Sequence, residues 1–278
     1  MKFHILLFSI IFCFNFNLKS KEKINKPEMV KTVLVEYQLQ NTSMKILKDV
    51  KFYCYAPIEN VGFKTLNIKS NLKFNQNKSK AGNHILEFNI PFMAPKDLMS
   101  IKIFLTIDSS KKDASSEIVN QFKSSERFIE SDTKIIRKLV KSTKDSKKLY
   151  ELVIRKLKQG PTDPIDRGAV YALIKKNVDC TEFSFLYTAL CRAANIPARV
   201  RGGYYDLSGL NVGNATYHNW VEIYQNNAWH VVDCQLQKFK PSKSKYLGFE
   251  IYENRSKPLA GFHRFLVSHK NNIKVKIK

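Results

Sequence analysis

Residues 177–184 read Asn177-Val178-Asp179-Cys180-Thr181-Glu182-Phe183-Ser184, and the reading of this stretch decides the fold. Downstream, Phe183, Leu186, Leu190 and Ala194 recur at three- and four-residue steps, so a helix is predicted over 181–194 with Cys180 immediately before it. Asn195 and Pro197 end that helix. A thiol at a helix start faces unsatisfied N–H groups and the positive end of the macrodipole, and both favour thiolate over thiol. The same N–H groups can hold an oxyanion beside the sulfur.

Beyond the helix the period falls to two, with strands predicted over 198–205, 217–225 and 228–233. Asn226-Asn227 between two apolar runs is a two-residue hairpin turn, because asparagine tolerates positive φ. That turn pairs Gln225 with Ala228, Tyr224 with Trp229 and Val221 with Val232. It sets His218, Trp220, Glu222 and Tyr224 on one face with Trp229, Val231 and Asp233. His218 and Asp233 become diagonal neighbours within reach of each other, while His230 points to the other face. A thiolate, an imidazole to exchange its proton and a carboxylate to fix the tautomer make a nucleophilic triad: Cys180, His218 and Asp233. Trp220 opposite Asp233 walls the site from water or simply packs. Arg199 and Arg201 alternate along one strand as ion-pair formers, Gly202-Gly203 marks a bend or bulge, and 206–214 is a loop placed to cover a substrate.

Upstream, apolar residues at helical steps predict helices over 126–140 and 146–158, the second stopped by Gly160-Pro161. Before those, 31–107 has period two: Val33, Val35, Tyr37 and Leu39 alternate with polar residues, and further strands are predicted over 49–55, 63–74, 84–90 and 100–107. The expected organisation is a signal or anchor at 1–20, a β-sandwich-like domain at 28–108, a polar linker at 109–125 and an α+β domain at 126–278 that includes a last strand at 273–277.

The 278 residues are 44% hydrophobic and carry 47 Lys+Arg against 24 Asp+Glu, a net charge of +23. Nine of the 47 are arginine. The lysines are spread from Lys19 to Lys278 rather than gathered in stripes with aromatics, so they read as a solvated basic surface that attracts anionic surfaces nonspecifically at low salt, with no specific nucleic-acid partner. Lys2 followed by an apolar run at 5–16 has the form of a secretory signal, too short to span a bilayer stably. Export to the periplasm, cell surface or medium is expected, with cleavage or retention as an N-terminal membrane anchor both open. Export permits disulfides, and with Cys180 free at most one bridge forms among Cys54, Cys191 and Cys234. No CxxC pair or calcium-type acidic loop is present, so neither a metal nor a cofactor is implied.

Two stretches carry a family resemblance. Asp179 to Ser184, Ala189-Leu190-Cys191-Arg192-Ala193 and Ile196-Pro197-Ala198-Arg199, then His218 to Tyr224 and Trp229 to Asp233, resemble the transglutaminase-like superfamily in its exported bacterial form. The resemblance covers roughly 127–252. It implies an α+β, papain-like transglutaminase core preceded by an all-β sandwich-like domain. It also implies thiol chemistry on an amide of a protein or peptide, with Cys180 as nucleophile, His218 as acid/base and Asp233 as orienting carboxylate. Val178 stands where the family has glycine, and Cys234 where it often has proline. No tryptophan precedes Cys180 as in the animal enzymes, so the Cys180 N–H and Tyr171 are the substitutes considered for the oxyanion, with Tyr171 and Trp220 the candidates for oxyanion or substrate contact. Hydrolysis (peptidase or amidase) and transglutaminase-type acyl transfer both stay open. The alternative is an inactive binding module that keeps the fold and grips a surface polymer or protein.

Overall fold

The computed structural model describes residues 30–57, 62–79, 81–108, 119–163, 165–206, 211–212, 217–253, 259 and 264–278. The expected signal segment, the first half of the expected linker and most of the 206–214 loop lie outside them. The first half of the chain gives strands β1 (Val30–Asn41), β2 (Leu47–Ala56), β3 (Lys64–Ser70), β4 (Asn75–Lys78), β5 (His84–Met93) and β6 (Leu98–Asp108). The second half gives α1 (Lys134–Val140), α2 (Ser146–Lys156), β7 (Lys158–Gln159), α3 (Ala169–Lys175), β8 (Asn177–Val178), α4 (Cys180–Ala193), β9 (Ala198–Tyr205), β10 (Asn211–Val212), β11 (Tyr217–Gln225), β12 (Ala228–Asp233), β13 (Lys238–Phe239), β14 (Tyr246–Ile251), β15 (Phe265–Val267) and β16 (Ile273–Ile277).

Two sheets face each other in the first half. β6 lies between β1 and β3 in one, and β5 lies between β2 and β4 in the other. Val33, Val35, Tyr37 and Leu39 are buried as their alternation requires, and Tyr37 meets Phe52 of the opposite sheet with ring centroids 5.0 Å apart. The chain end corrects the expected partition. β16 pairs with β1, and β15 pairs with β2, so residues 265–277 extend the sandwich rather than the α+β unit. The reason is edge protection: β1 and β2 would otherwise present unpaired backbone, and the alternation of Ile273, Val275 and Ile277 fits the sandwich interior.

The second unit is a five-stranded antiparallel sheet, ordered β13-β12-β11-β9-β14, packed against the helices. Asn226 and Asn227 both take positive φ, 53° and 58°, and the β11–β12 register pairs Gln225 with Ala228, Tyr224 with Trp229 and Val221 with Val232. One sheet face buries Val200, Val221, Ile223 and Val232 against the almost wholly buried α4. The other carries Trp220, Trp229, Tyr246 and Ile251, which cluster with Phe122. Phe122 meets Trp229 edge-on at 5.7 Å, so residues 119–123, expected in the linker, are a short 3-10 turn that roofs the sheet. Arg199 and Arg201 both turn to Glu222, at 2.7 and 3.7 Å.

The helix expected over 126–140 begins only at Lys134. Glu126 and Ile129 exchange backbone hydrogen bonds, and the Glu126 carboxylate holds Arg192 at 2.6 Å, which keeps 126–133 out of the helix. α3 was not legible in the sequence. It is seven residues long between Gly168 at φ 100° and Lys176 at φ 63°, too short to show a period. Gly202-Gly203 is a close approach rather than a bend. A Cβ on Gly203 would run into the Leu247 carbonyl oxygen and stand 2.8 Å from Trp220 Cη2, while the bulge itself falls across the ladder between Gly248 and Glu250. Gly203→Ala is therefore expected to cost about 3 kcal/mol through overpacking, read as a lower urea midpoint.

Candidate active site

Asp179 caps α4. Its Oδ1 accepts the Thr181 N–H at 2.8 Å, and its Oδ2 accepts the Asp163 N–H at 2.9 Å. Cys180 is the first residue of that helix and is half-buried, whereas Cys54, Cys191 and Cys234 are buried and all four are free thiols. Burial pushes the Cys191 thiol up to about 12, and drives those of Cys54 and Cys234 upward too, so these three are held neutral. The bridge considered among them does not form.

His218 is supplied by β11, and its Nε2 lies 2.8 Å from Asp233 Oδ2 at the end of β12. Cys180 lies close enough to bear on the same ring. Burial by itself works against the imidazolium. The hydrogen bond to Asp233 and the interactions with Asp233 and Cys180 outweigh it and raise His218 to about 10. Asp233 is saturated: Oδ2 also accepts the Tyr246 hydroxyl at 3.1 Å, and Oδ1 accepts the Leu236 N–H at 3.0 Å. A fourth contact sets the distance between helix and sheet. Asn219 Nδ2 donates to Thr181 Oγ1 at 2.9 Å, joining the residue after His218 to the residue after Cys180.

His218 and Asp233 thus meet as the hairpin register required, and the Thr181–Asn219 bond holds the start of α4, with Cys180, beside them. Trp220 is buried. Its ring lies beside His218 with centroids 6.5 Å apart at 29°, and it meets Tyr246 edge-on at 5.2 Å, so it closes the rear of the site. Tyr171 is half-buried on α3 with the Arg167 guanidinium 5.4 Å above its ring, and among the described residues no contact joins it to the three. His230 lies on the other face and reaches the Gln225 carbonyl oxygen at 3.1 Å.

Four contributors were missed from sequence. Asn219 and Thr181 were within reach: parity sends Asn219 to the helix face, and Thr181 adjoins the nucleophile. Tyr246 was not, because β14 was not read as a strand and its place beyond β9 follows from the sheet order rather than from local pattern. Glu182, in the first turn of α4, is pushed up to about 8 by burial and then by the Asp179 charge. Its Oε1 accepts the Arg167 N–H at 3.1 Å, so Asp179 and Glu182 together hold Asp163 and Arg167 to the head of α4.

Residues 130–234 match the family profile described as the transglutaminase-like superfamily. In fold, the chain is similar to a candidate cysteine protease from Cytophaga hutchinsonii, at a TM-score of 0.61 and 15% identity over 90% of each chain. The periplasmic domain of TgpA from Pseudomonas aeruginosa is a more distant likeness, with a TM-score of 0.35 and 12% identity over 74% of this chain and 91% of that one. No curated protein matches the chain. Residues 130–234 are a transglutaminase-like core, of a superfamily of cysteine hydrolases and acyltransferases, set in an α+β chain.

Proposed function

We propose that the protein is an exported cysteine enzyme acting on amide bonds of a peptide or protein. One observation supports it above the others: His218 Nε2 is held by Asp233 Oδ2 at 2.8 Å, with Cys180, at the start of α4, close enough to bear on the ring. Asp233 keeps the imidazole charged and oriented, and an imidazolium beside the sulfur favours the thiolate. The thiolate attacks the carbonyl carbon, and electrons pass to the oxygen, which first-turn N–H groups of α4 stabilise. His218 then gives its proton to the departing amine as the C–N bond breaks, leaving a thioester on Cys180 and a neutral ring. Water or a second amine enters next. His218 takes its proton, and the thiolate leaves to restore the starting pair. Hydrolysis is the favoured outcome; an amine acceptor turns the same thioester to cross-linking.

Mass analysis of glutaminyl peptides incubated with and without a primary amine tests this. Hydrolysed or deamidated product without amine, and amine-substituted product with it, are both expected to vanish in Cys180→Ala. Product formation that survives that substitution would contradict the assignment.

A further inference from the structure

Beside the triad stands a cation the mechanism above does not use. Lys238 begins β13, directly across the ladder from Asp233. The Asp233 carboxylate is occupied by His218, Tyr246 and the Leu236 N–H, and among the described residues no carboxylate forms an ion pair with Lys238. This sets it apart from Arg199 and Arg201, which share Glu222 on the same sheet. The Lys238 ammonium instead lies 4.4 Å from the centroid of the Tyr205 ring and donates to the Tyr205 hydroxyl oxygen. Tyr205, at the end of β9, stands edge-on to His218 with centroids 6.2 Å apart and packs on Tyr246 at 4.9 Å. Both Lys238 and Tyr205 are half-buried, beside a histidine that is itself nearly covered.

A phenol oxygen that accepts from lysine keeps its own O–H free to donate. Lys238 and Tyr205 therefore offer N–H and O–H donors and one positive charge close to the reacting histidine, and the chemical group that satisfies all three is a carboxylate. We propose that Lys238 and Tyr205 form a carboxylate-recognition subsite, and that the substrate carries a carboxylate beside the amide that Cys180 attacks. The group is either an acidic side chain or a free chain-terminal carboxylate, which share this chemistry. The inference rests on Cys180 being the nucleophile. It adds a selectivity: acidic substrates over neutral ones of the same shape.

Two alkylating reagents of nearly equal size, iodoacetate and iodoacetamide, differ in that charge. Rates of Cys180 modification by each are compared in the full chain, Lys238→Gln, Lys238→Arg and Lys238→Glu. Lys238→Gln is expected to slow iodoacetate about threefold to tenfold while iodoacetamide stays within about twofold, Lys238→Glu to slow iodoacetate further, and Lys238→Arg to restore it. Added salt should erode the iodoacetate advantage of the native chain. An iodoacetate-to-iodoacetamide ratio that does not change across the three variants overturns the subsite while leaving the nucleophile intact. Cys180 reacting no faster than an unfolded thiol with either reagent overturns the nucleophile and the subsite together. A peptide arm separates the two sources: glutaminyl peptides with glutamate or glutamine next to the reacting residue, each with a free or amidated C-terminus. Loss of kcat/KM in Lys238→Gln confined to one carboxylate-bearing set identifies the source, and equal loss on every peptide, the uncharged one included, overturns the subsite.

Discussion

Turnover falls by at least ~10³-fold in Cys180→Ala with the unfolding midpoint nearly unchanged, because a covalent step disappears while little packing is lost. Cys180 is only half-buried, and its side chain fills no core position, so truncation leaves no cavity. Among the described residues no other thiol can replace it. Cys54, Cys191 and Cys234 are buried in the two cores, and desolvation keeps them as neutral thiols. Residual activity would come only from substrate positioning by the rest of the site. Parallel measurement of kcat/KM and thermal unfolding separates this from a folding defect, which would lower both.

Asp233→Asn is the second large effect, a loss of ~10²–10⁴ in kcat/KM with a changed pH profile. Three donors converge on the carboxylate, two of them on Oδ2. An asparagine has one acceptor oxygen, and its NH2 facing the ring would favour the wrong tautomer. The sign of the pH effect follows from His218, which is raised to about 10 in spite of burial by the hydrogen bond to Asp233 and the interactions with Asp233 and Cys180. As the acid that protonates the leaving amine, His218 works while charged, so native activity holds through neutral pH and declines as pH approaches 10. With Asp233 neutralised, burial is less opposed, the ring loses its proton earlier, and the alkaline limb moves to lower pH. Linkage predicts the same direction for stability. The contribution of His218 is full below about 6.5, the unfolded value, and drains away as pH rises towards 10. Tyr246→Phe removes one donor and no charge, so its effect should be smaller with the same sign.

The parts of this site legible in sequence were those fixed by local pattern. The α4 boundary followed from where polar residues give way to helical spacing, with Asn195 at φ 64° closing it. The His218–Asp233 meeting followed from a two-asparagine turn, since one turn fixes the register of a whole hairpin. What depended on distant pairing was hidden. Nothing local in 273–277 says that β16 serves β1 rather than the nearer sheet, and nothing in 246–251 says that Tyr246 will reach Asp233 from the far side of β9. The eight residues before α1 failed for a different reason. Phe128 and Ile129 stand one heptad before Ile135 and Ile136, which extended the helical spacing too far back, but the Glu126 carboxylate is needed by buried Arg192, and that tertiary pairing prevailed. Lys238 was one lysine among many until the fold set it next to the triad.

The proposed chemistry stands on the His218 imidazole activating the Cys180 sulfur. The second-order rate of iodoacetamide alkylation at residue 180, followed by mass spectrometry from pH 5 to 10 in the native chain and in His218→Ala, tests it most directly. A single rapidly modified thiol is expected in the native chain, with a rate at least tenfold lower at neutral pH in His218→Ala. Equal rates in the two proteins at every pH would contradict it and would favour a binding module that has kept the fold without the chemistry.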